Sequence, residues 1–299
     1  MELDKIDQIS NSFKIRASAA IEIMGAMGLT EKQQIEYDTL VKRNLDYANK
    51  VDKVKPLTDV MVAKLKELTA KKDNPELPEG AKTHCKKWLK EYLFKRRGQI
   101  KAKQVEKGNL QEEDGFTLMA VQLNLGMVYK NTQLHQNEYL IGTDDIFCNA
   151  VVYDNKCSYS LDTFPMFEVE IPDDKYDWQI NVYCELRKCL DGALVYTLID
   201  APEKMIEREL RWLESDNEKY VAACQMIFTK DAFDKAQAMY FPDADYTYFV
   251  EIPAEDRIVK FDIKKDPAKI EGLYKRVPMC REYIKSLLIK KYHGKQHLN

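Results

Sequence analysis

The residues able to do chemistry crowd into positions 138–156, which read E-Y-L-I-G-T-D-D-I-F-C-N-A-V-V-Y-D-N-K. Acids stand at Glu138, Asp144, Asp145 and Asp154, and Lys156 follows the last of them by two. The apolar residues between (Leu140, Ile141, Ile146, Phe147, Val151, Val152) suit buried strands joined by turns. Side chains two apart on a strand share a face, so Asp154 and Lys156 would point the same way. Carboxylates brought together from neighbouring strands suit Mg²⁺, a hard ion that takes one or two protein carboxylates and completes its shell with water and substrate phosphate. Such an ion polarises a phosphoryl oxygen and acidifies a bound water. An ammonium beside it can orient that water or offset the charge that develops on phosphate. The matching chemistry is metal-assisted phosphodiester hydrolysis. An acidic hairpin with an incidental lysine carries the same letters, and D-x-K alone is common. The order acid, acid pair, D-x-K across about twenty residues narrows the reading.

Two further segments fall in register with it. Upstream, Gly108-Asn109-Leu110-Gln111-Glu112 is a G-x-x-x-E where a new helix should begin. Downstream, Gln179 and Tyr183 form a Q-x-x-x-Y at one-turn helical spacing. This ordered set resembles the PD-(D/E)XK nuclease superfamily. It is most similar to the phage lambda-type and YqaJ-type alkaline exonucleases and to the RecB nuclease domain. The phrases K-G-N-L-Q-E-E, N-E-Y-L-I-G-T-D-D, D-T-F-P and Q-I-N-V-Y carry the likeness, which covers about residues 10–215.

The resemblance implies roles for particular residues. Glu112 matches the helix glutamate that helps hold metal. Asp145 matches the aspartate of the PD motif and Asp154 the acid of (D/E)XK, both as metal ligands, with Lys156 as the catalytic lysine. Gln179 and Tyr183 match the supporting helix motif, and Glu138 stands where an accessory acid could. In Phe13-Lys14-Ile15-Arg16-Ala17-Ser18, Arg16 and Ser18 resemble the R-x-S that opens phage exonucleases and could hold a terminal phosphate. An exposed arginine and a helix-starting serine would read the same. The implied activity is a metal-dependent double-strand DNA exonuclease of phage-type recombination, using Mg²⁺ or Mn²⁺. A single-strand annealing recombinase is the implied partner, and a homo-oligomer, a trimer in lambda-type relatives, the implied assembly. Two departures matter. Asp144 replaces the family proline, so either aspartate could be the ligand, with Asp145 favoured because it follows Thr143 by two. Asn155 stands at the x of D-x-K, a position that faces the core, and a buried asparagine without partners costs about 1–3 kcal/mol. These departures leave open a degenerate nuclease fold that only binds DNA or a partner. A restriction-type endonuclease is a further alternative.

The elements needed to position these groups can be read from periodicity. The pattern predicts a helix over 112–130, strands near 136–141, 143–148 and 150–157, a helix over 175–190, and an apolar central strand at 193–199. That order, αβββαβ, is a restriction-endonuclease-like α/β core, a mixed sheet flanked by helices. Helical elaborations precede and follow it. Residues 4–50 are helical with a break near 25–30, where Thr30 and Gln33 form a capping box. A helix follows over 57–71, and Lys72–Gly80 is a loop. After Pro202, helices near 202–214 and 217–238, a half-buried strand at 257–263 and a helix over 267–291 are expected. The implied division is a helical region 1–107, a nuclease core 108–200 and a mostly helical region 201–299.

Composition sets the bounds. The chain has 299 residues, 45% hydrophobic and 32% charged, as a soluble globular protein does. The net charge of −3 does not announce a nucleic-acid binder. Distribution does more. Between Lys82 and Lys107 lie ten Lys/Arg (82, 86, 87, 90, 95, 96, 97, 101, 103, 107) against Glu91 and Glu106. That basic segment, with Arg96, Arg97, Lys101 and Lys103, is the expected contact to a phosphate backbone; a solvated helix face is the plainer reading. Seven scattered cysteines fit reduced thiols and lack the tight runs of cluster ligation. No apolar run approaches the ~18 residues of a membrane helix. The polar start lacks a signal peptide's core, and the expected location is the cytoplasm.

Overall fold

A computed structural model describes residues 1–98, 103–245 and 248–294. In chain order its elements begin with α1 (Leu3–Asn11), β1 (Ile15–Arg16), a 3₁₀ stretch (Ala17–Ile23), α2 (Glu31–Ala48), α3 (Asp59–Asp73) and α4 (Glu79–Phe94). They continue with α5 (Lys103–Gln122), β2 (His135–Gln136), β3 (Leu140–Gly142), β4 (Ile146–Cys148), β5 (Val151–Ser158), α6 (Asp174–Arg187) and β6 (Asp191–Leu198). The last are α7 (Glu203–Leu210), α8 (Asp216–Cys224), α9 (Lys230–Tyr240), β7 (Ile258–Lys264) and α10 (Pro267–Tyr292). These gather into two compact units. One comprises Met1–Phe13, Glu22–Arg96 and Gly272–Asn299; the other comprises Lys14–Ile21 and Arg97–Glu271.

The first unit is helical. Leu273, Val277, Ile284 and Leu288 of α10 recur at helical spacing and are fully buried, as are Ile6, Phe13, Ile23 and Leu68. Phe13 meets Trp88 edge-on at 5.1 Å. The Thr30–Gln33 capping box forms as the sequence predicts, each side chain bonding the other's backbone N–H.

The second unit holds two sheets. One has the order β1-β3-β2, the other β4-β5-β6-β7. In the larger sheet β4 and β5 are antiparallel, β5 and β6 parallel, and β6 and β7 antiparallel. The apolar run 193–199 supplies β6, an interior strand, as its composition requires. Alternation gives the sheet two different faces. Phe116 and Met119 of α5 pack with Tyr153, Ala193 and Val195 on one. On the other, β6 comes so close to α6 that a Cβ at Gly192 would stand 2.3 Å from Ile180 Cγ2 and 3.0 Å from Cys184 Sγ. α7, α8 and α9 enclose a separate small core around Phe233, Ile227 and Phe241.

Several boundaries differ from expectation for local reasons. The strand expected at 136–141 is split into β2 and β3, because the Asn137 side chain accepts the N–H groups of Tyr139 and Leu140 and closes a tight turn. The helix expected over 112–130 instead spans Lys103–Gln122. Gly108 therefore lies inside it, not at its start. It stops where Asn124 and Gly126 turn left-handed, at φ 53° and 74°. Leu125 and Val128 still reach the same core from beyond the helix end. The single helix expected over 217–238 is two, because Asp200 accepts the N–H groups of Phe228 and Thr229 at the start of α9.

Gly192→Ala overpacks the α6–sheet contact. It should lower unfolding stability by about 1–3 kcal/mol, read from a shift in the urea midpoint at constant slope.

Candidate active site

β5 carries the D-x-K, and its alternation sorts the three residues. Asp154 and Lys156 face α6, while Asn155 faces α5. The Asp154 carboxylate is almost wholly buried. Its Oδ1 accepts from Gln179 Nε2 at 3.1 Å, and the same amide donates to the Tyr183 hydroxyl at 2.9 Å. Gln179 and Tyr183, one turn apart on α6, thus act as a pair. A close approach makes room for Tyr183: a Cβ on Gly142 would meet its ring at 2.8 Å. Asp154 Oδ2 lies 2.6 Å from the Lys156 ammonium and takes no aligned hydrogen bond. That ammonium also lies over the Tyr176 ring, 5.2 Å from its centroid. Burial works against the charge on Lys156, but Asp154 and Asp145 outweigh it, and its pKa is raised.

Asp145 immediately precedes β4, whose Ile146 pairs with Tyr153 of β5. Asp145 Oδ2 accepts the backbone N–H of Asn155 at 2.8 Å. Burial first, and the neighbouring Asp154 second, push the Asp145 carboxyl up to about 7. Asp144 points elsewhere. It is 2% exposed and forms a two-point pair with Arg187 of α6, at 2.8 and 2.9 Å, with Asn131 Nδ2 at 3.2 Å. Asp144 is therefore committed to a structural ion pair. Of the two aspartates, Asp145 is the one that lines the cleft.

Asn155 has the partners its burial demands. Its Oδ1 accepts from Thr197 Oγ1 at 3.1 Å, and its Nδ2 reaches Cys157 Sγ at 3.4 Å. Gly115 of α5 lies against this cluster, where a Cβ would be 2.4 Å from Asn155 Nδ2. Glu112 also lines the cleft, with its Oε2 paired to Lys130. The cleft is about 680 Å³ and brings together Ser18, Glu112, Asp145, Lys156 and Gln179.

No family model matches the chain. No curated protein matches it either. Solved structures do. A phage-related exonuclease from Haemophilus somnus 129PT is similar over 96% of this chain and 99% of its own, at 20% identity and a TM-score of 0.61. An alkaline exonuclease from Laribacter hongkongensis, LHK-Exo, is similar over 99% and 100%, at 8% identity and a TM-score of 0.51. Its complex with dAMP gives 97% and 98%, at 9% and 0.50. The chain has the fold of these exonucleases.

Within this exonuclease fold the remaining expected residues are dispersed. Arg16 is exposed at the end of β1, two residues before the cleft-lining Ser18. Glu138 sits exposed in the β2–β3 bend, away from the cleft lining. Arg96 ends the Glu22–Arg96 segment of the first unit beside Lys90 and Phe94, and Arg97 begins the Arg97–Glu271 segment of the second. Lys101 lies outside the described residues, and Lys103 begins α5.

Three cleft groups escaped sequence reasoning, as did the burial of Lys107, counted above only as part of the basic segment. Lys175 and Tyr176 precede Gln179 by four and three, so helical spacing already placed them on its face. Tyr196 required the parallel register that sets it beside Lys156. Lys107 is 1% exposed, donates to the carbonyls of Ser158 and Tyr159 at 3.1 and 2.9 Å, and lies 5.1 Å from the Phe228 ring centroid. Burial pushes its pKa down to about 8. Nothing in the sequence marks a lysine for such a site.

Among the described residues, no three His, Cys, Asp or Glu side chains already converge as a metal cage. The donor set nevertheless fits a hard divalent cation. Asp145 and Asp154 are two neighbouring carboxylates, burial first and Asp154 second raising the Asp145 pKa, and Mg²⁺ needs no more protein ligands than these.

Two predictions follow from the aspartate pair. Asp144→Ala leaves Arg187 buried without its partner and should cost about 3–5 kcal/mol in unfolding stability. The second concerns pH. Asp145 binds its proton more tightly folded than unfolded, so its contribution is full below the ordinary carboxyl value of 3.8 and is lost as pH rises through about 7. Melting temperature without divalent ions should fall across that window, and Asp145→Asn, neutral throughout, should flatten the fall.

Proposed function

We propose that this chain is a metal-dependent deoxyribonuclease that digests duplex DNA from an end. The observation that carries the reading is the meeting of Asp145 and Lys156 in one cleft, with the buried Asp154 against Lys156 and with Gln179 and Glu112 in the same lining, within a fold shared with exonucleases along nearly the whole chain. Asp145 and Asp154 would hold Mg²⁺ or Mn²⁺, with Glu112 in support. When bound, the ion would polarise the scissile phosphate and acidify a water.

The chain's own side chains do the rest. Gln179 fixes the orientation of Asp154 through Oδ1, and Tyr183 fixes Gln179. Lys156 keeps its proton, because its pKa is raised. It therefore acts as a donor and a positive charge, not as a base. It offsets charge developing on the phosphate and orients the attacking water through its N–H groups. The Tyr176 face and Asp154 hold it in place. Ser18 is at hand in the cleft for a terminal phosphate, and Arg16 lies two residues away. The motif resemblance further supports a single-strand annealing recombinase as partner, a homo-oligomer as assembly and the cytoplasm as location. No helix among the described residues is long and apolar enough to cross a membrane.

Incubation with linear and covalently closed circular duplex DNA, with and without Mg²⁺, tests the reading. Linear DNA should be degraded only with the metal, and the circle should survive. Cutting of the circle would instead identify an endonuclease. Lys156→Ala should lower the rate on linear DNA by about 100-fold or more while DNA affinity changes little. Full activity in that variant would remove the lysine from the mechanism.

A further inference from the structure

The catalytic cleft holds a second ammonium that the reaction described above leaves unused. Lys175 sits in the first turn of α6 and lines the same cleft as Lys156 and Asp145. It precedes Gln179 by four residues, so it stands one helical turn from the amide that fixes Asp154. The ring of Tyr176 serves both lysines. Lys156 Nζ lies 5.2 Å and Lys175 Nζ 4.6 Å from its centroid. The two charges are thus separated by no more than one aromatic ring and its contacts. Their surroundings differ. Lys156 is held against the buried Asp154 at 2.6 Å, whereas the Lys175 side chain keeps 45% of its surface open.

The present partner of Lys175 is easily exchanged. Asp173 Oδ2 lies 2.6 Å from its Nζ, but both side chains are solvated, and exposed pairs of this kind contribute little. Asp173 has a separate task. Its Oδ1 accepts the backbone N–H of Lys175 at 2.9 Å and caps the helix, so the carboxylate stays in place when the ammonium leaves it. Of the other acids in that turn, Asp177 is engaged by Lys269 and Asn181, and Asp174 is exposed; acids at a helix start are favoured by its dipole. A DNA strand carries one phosphate per about 3.4 Å of helix axis. A strand whose scissile phosphate lies at Lys156 therefore brings a neighbouring phosphate into the same cleft. Lys156 and Lys175 are the cations of the described lining, and Lys156 is committed to Asp154 and the scissile group. Lys175 is left for the neighbour.

We propose that Lys175 binds a second phosphate of the substrate strand, exchanging Asp173 for it, a reading that rests on the DNA-degrading function above. That phosphate is either the internal diester beside the scissile one or the terminal phosphate of the strand. Binding to a short duplex is measured at several KCl concentrations with the full-length Lys156→Ala protein, which leaves the DNA intact, alone and combined with Lys175→Gln or Lys175→Arg. Lys175→Gln should weaken binding about tenfold and reduce the slope of log affinity against log salt by about 1. Lys175→Arg should restore both. Asp173→Asn, which keeps the helix cap and releases the ammonium, should tighten binding, and Lys175→Gln should remove that gain. Duplexes with and without terminal phosphates separate the two sources. An equal loss on both identifies the internal diester, and a loss confined to the phosphorylated duplex identifies the terminal group. An unchanged salt slope in Lys175→Gln, whether or not affinity falls, would overturn the proposal, as would a gain from Asp173→Asn that survives Lys175→Gln. Cleavage of linear duplex by the unmodified protein in Mg²⁺ is followed in parallel. Cleavage with an unchanged slope overturns the phosphate contact alone, whereas no cleavage overturns the nuclease reading.

Discussion

Two neighbouring carboxylates, Asp154 on β5 and Asp145 just before β4, with the Lys156 ammonium alongside, set the terms for the rest of this molecule. Asp145 and Asp154 repel, and burial magnifies the repulsion by removing the water that would screen it. Lys156 offsets part of that charge and gains part of its own stability from it. The site is thus unfavourable in isolation and persists because the surrounding fold holds its parts in place. The neighbouring polar residues serve that end. Gln179 and Tyr183 restrain Asp154 from α6, the Asn155 backbone restrains Asp145, and the Tyr176 ring restrains Lys156.

β5 accomplishes this by presenting a different polar arrangement on each face. Toward α6 it offers the acid and the lysine. Toward α5 it offers Asn155 and Cys157, closed by Thr197 from β6 and admitted by the missing side chain of Gly115. A buried amide in the middle of β5 is tolerated because each of its dipoles is used. The Asp144–Arg187 pair does similar work at the strand entrance, tying the turn before β4 to the same helix that carries Gln179. Lys107 binds the exit of β5 through two carbonyls. The entrance of β4 and the middle and exit of β5 are each held by a buried polar contact.

Much of this was legible in one dimension because it rests on local periodicity. The alternation of D-x-K, the one-turn spacing of Gln179 and Tyr183, the Thr30 capping box and the apolar run of β6 are all short-range patterns, and each corresponds to its element. Reading failed where a distant or unusual group ended an element. Asn137 folded one strand into two, Asn124 stopped α5 early, and Asp200, two elements away, divided α8 from α9. A side chain that caps a helix from another part of the chain leaves no periodic trace.

The order of residue types along the chain was enough to name the acids, the lysine and the supporting helix pair, because one strand and one helix present side chains at fixed intervals. Between two adjacent aspartates it favoured Asp145 by its spacing from Thr143 alone, since neighbours on a chain point to different places and only packing decides which place is the cleft. Arg187 lies 43 residues from Asp144, and Asp145 is bonded by the backbone N–H of Asn155, ten residues on. Long-range contacts placed one aspartate in an ion pair and the other in the cleft lining.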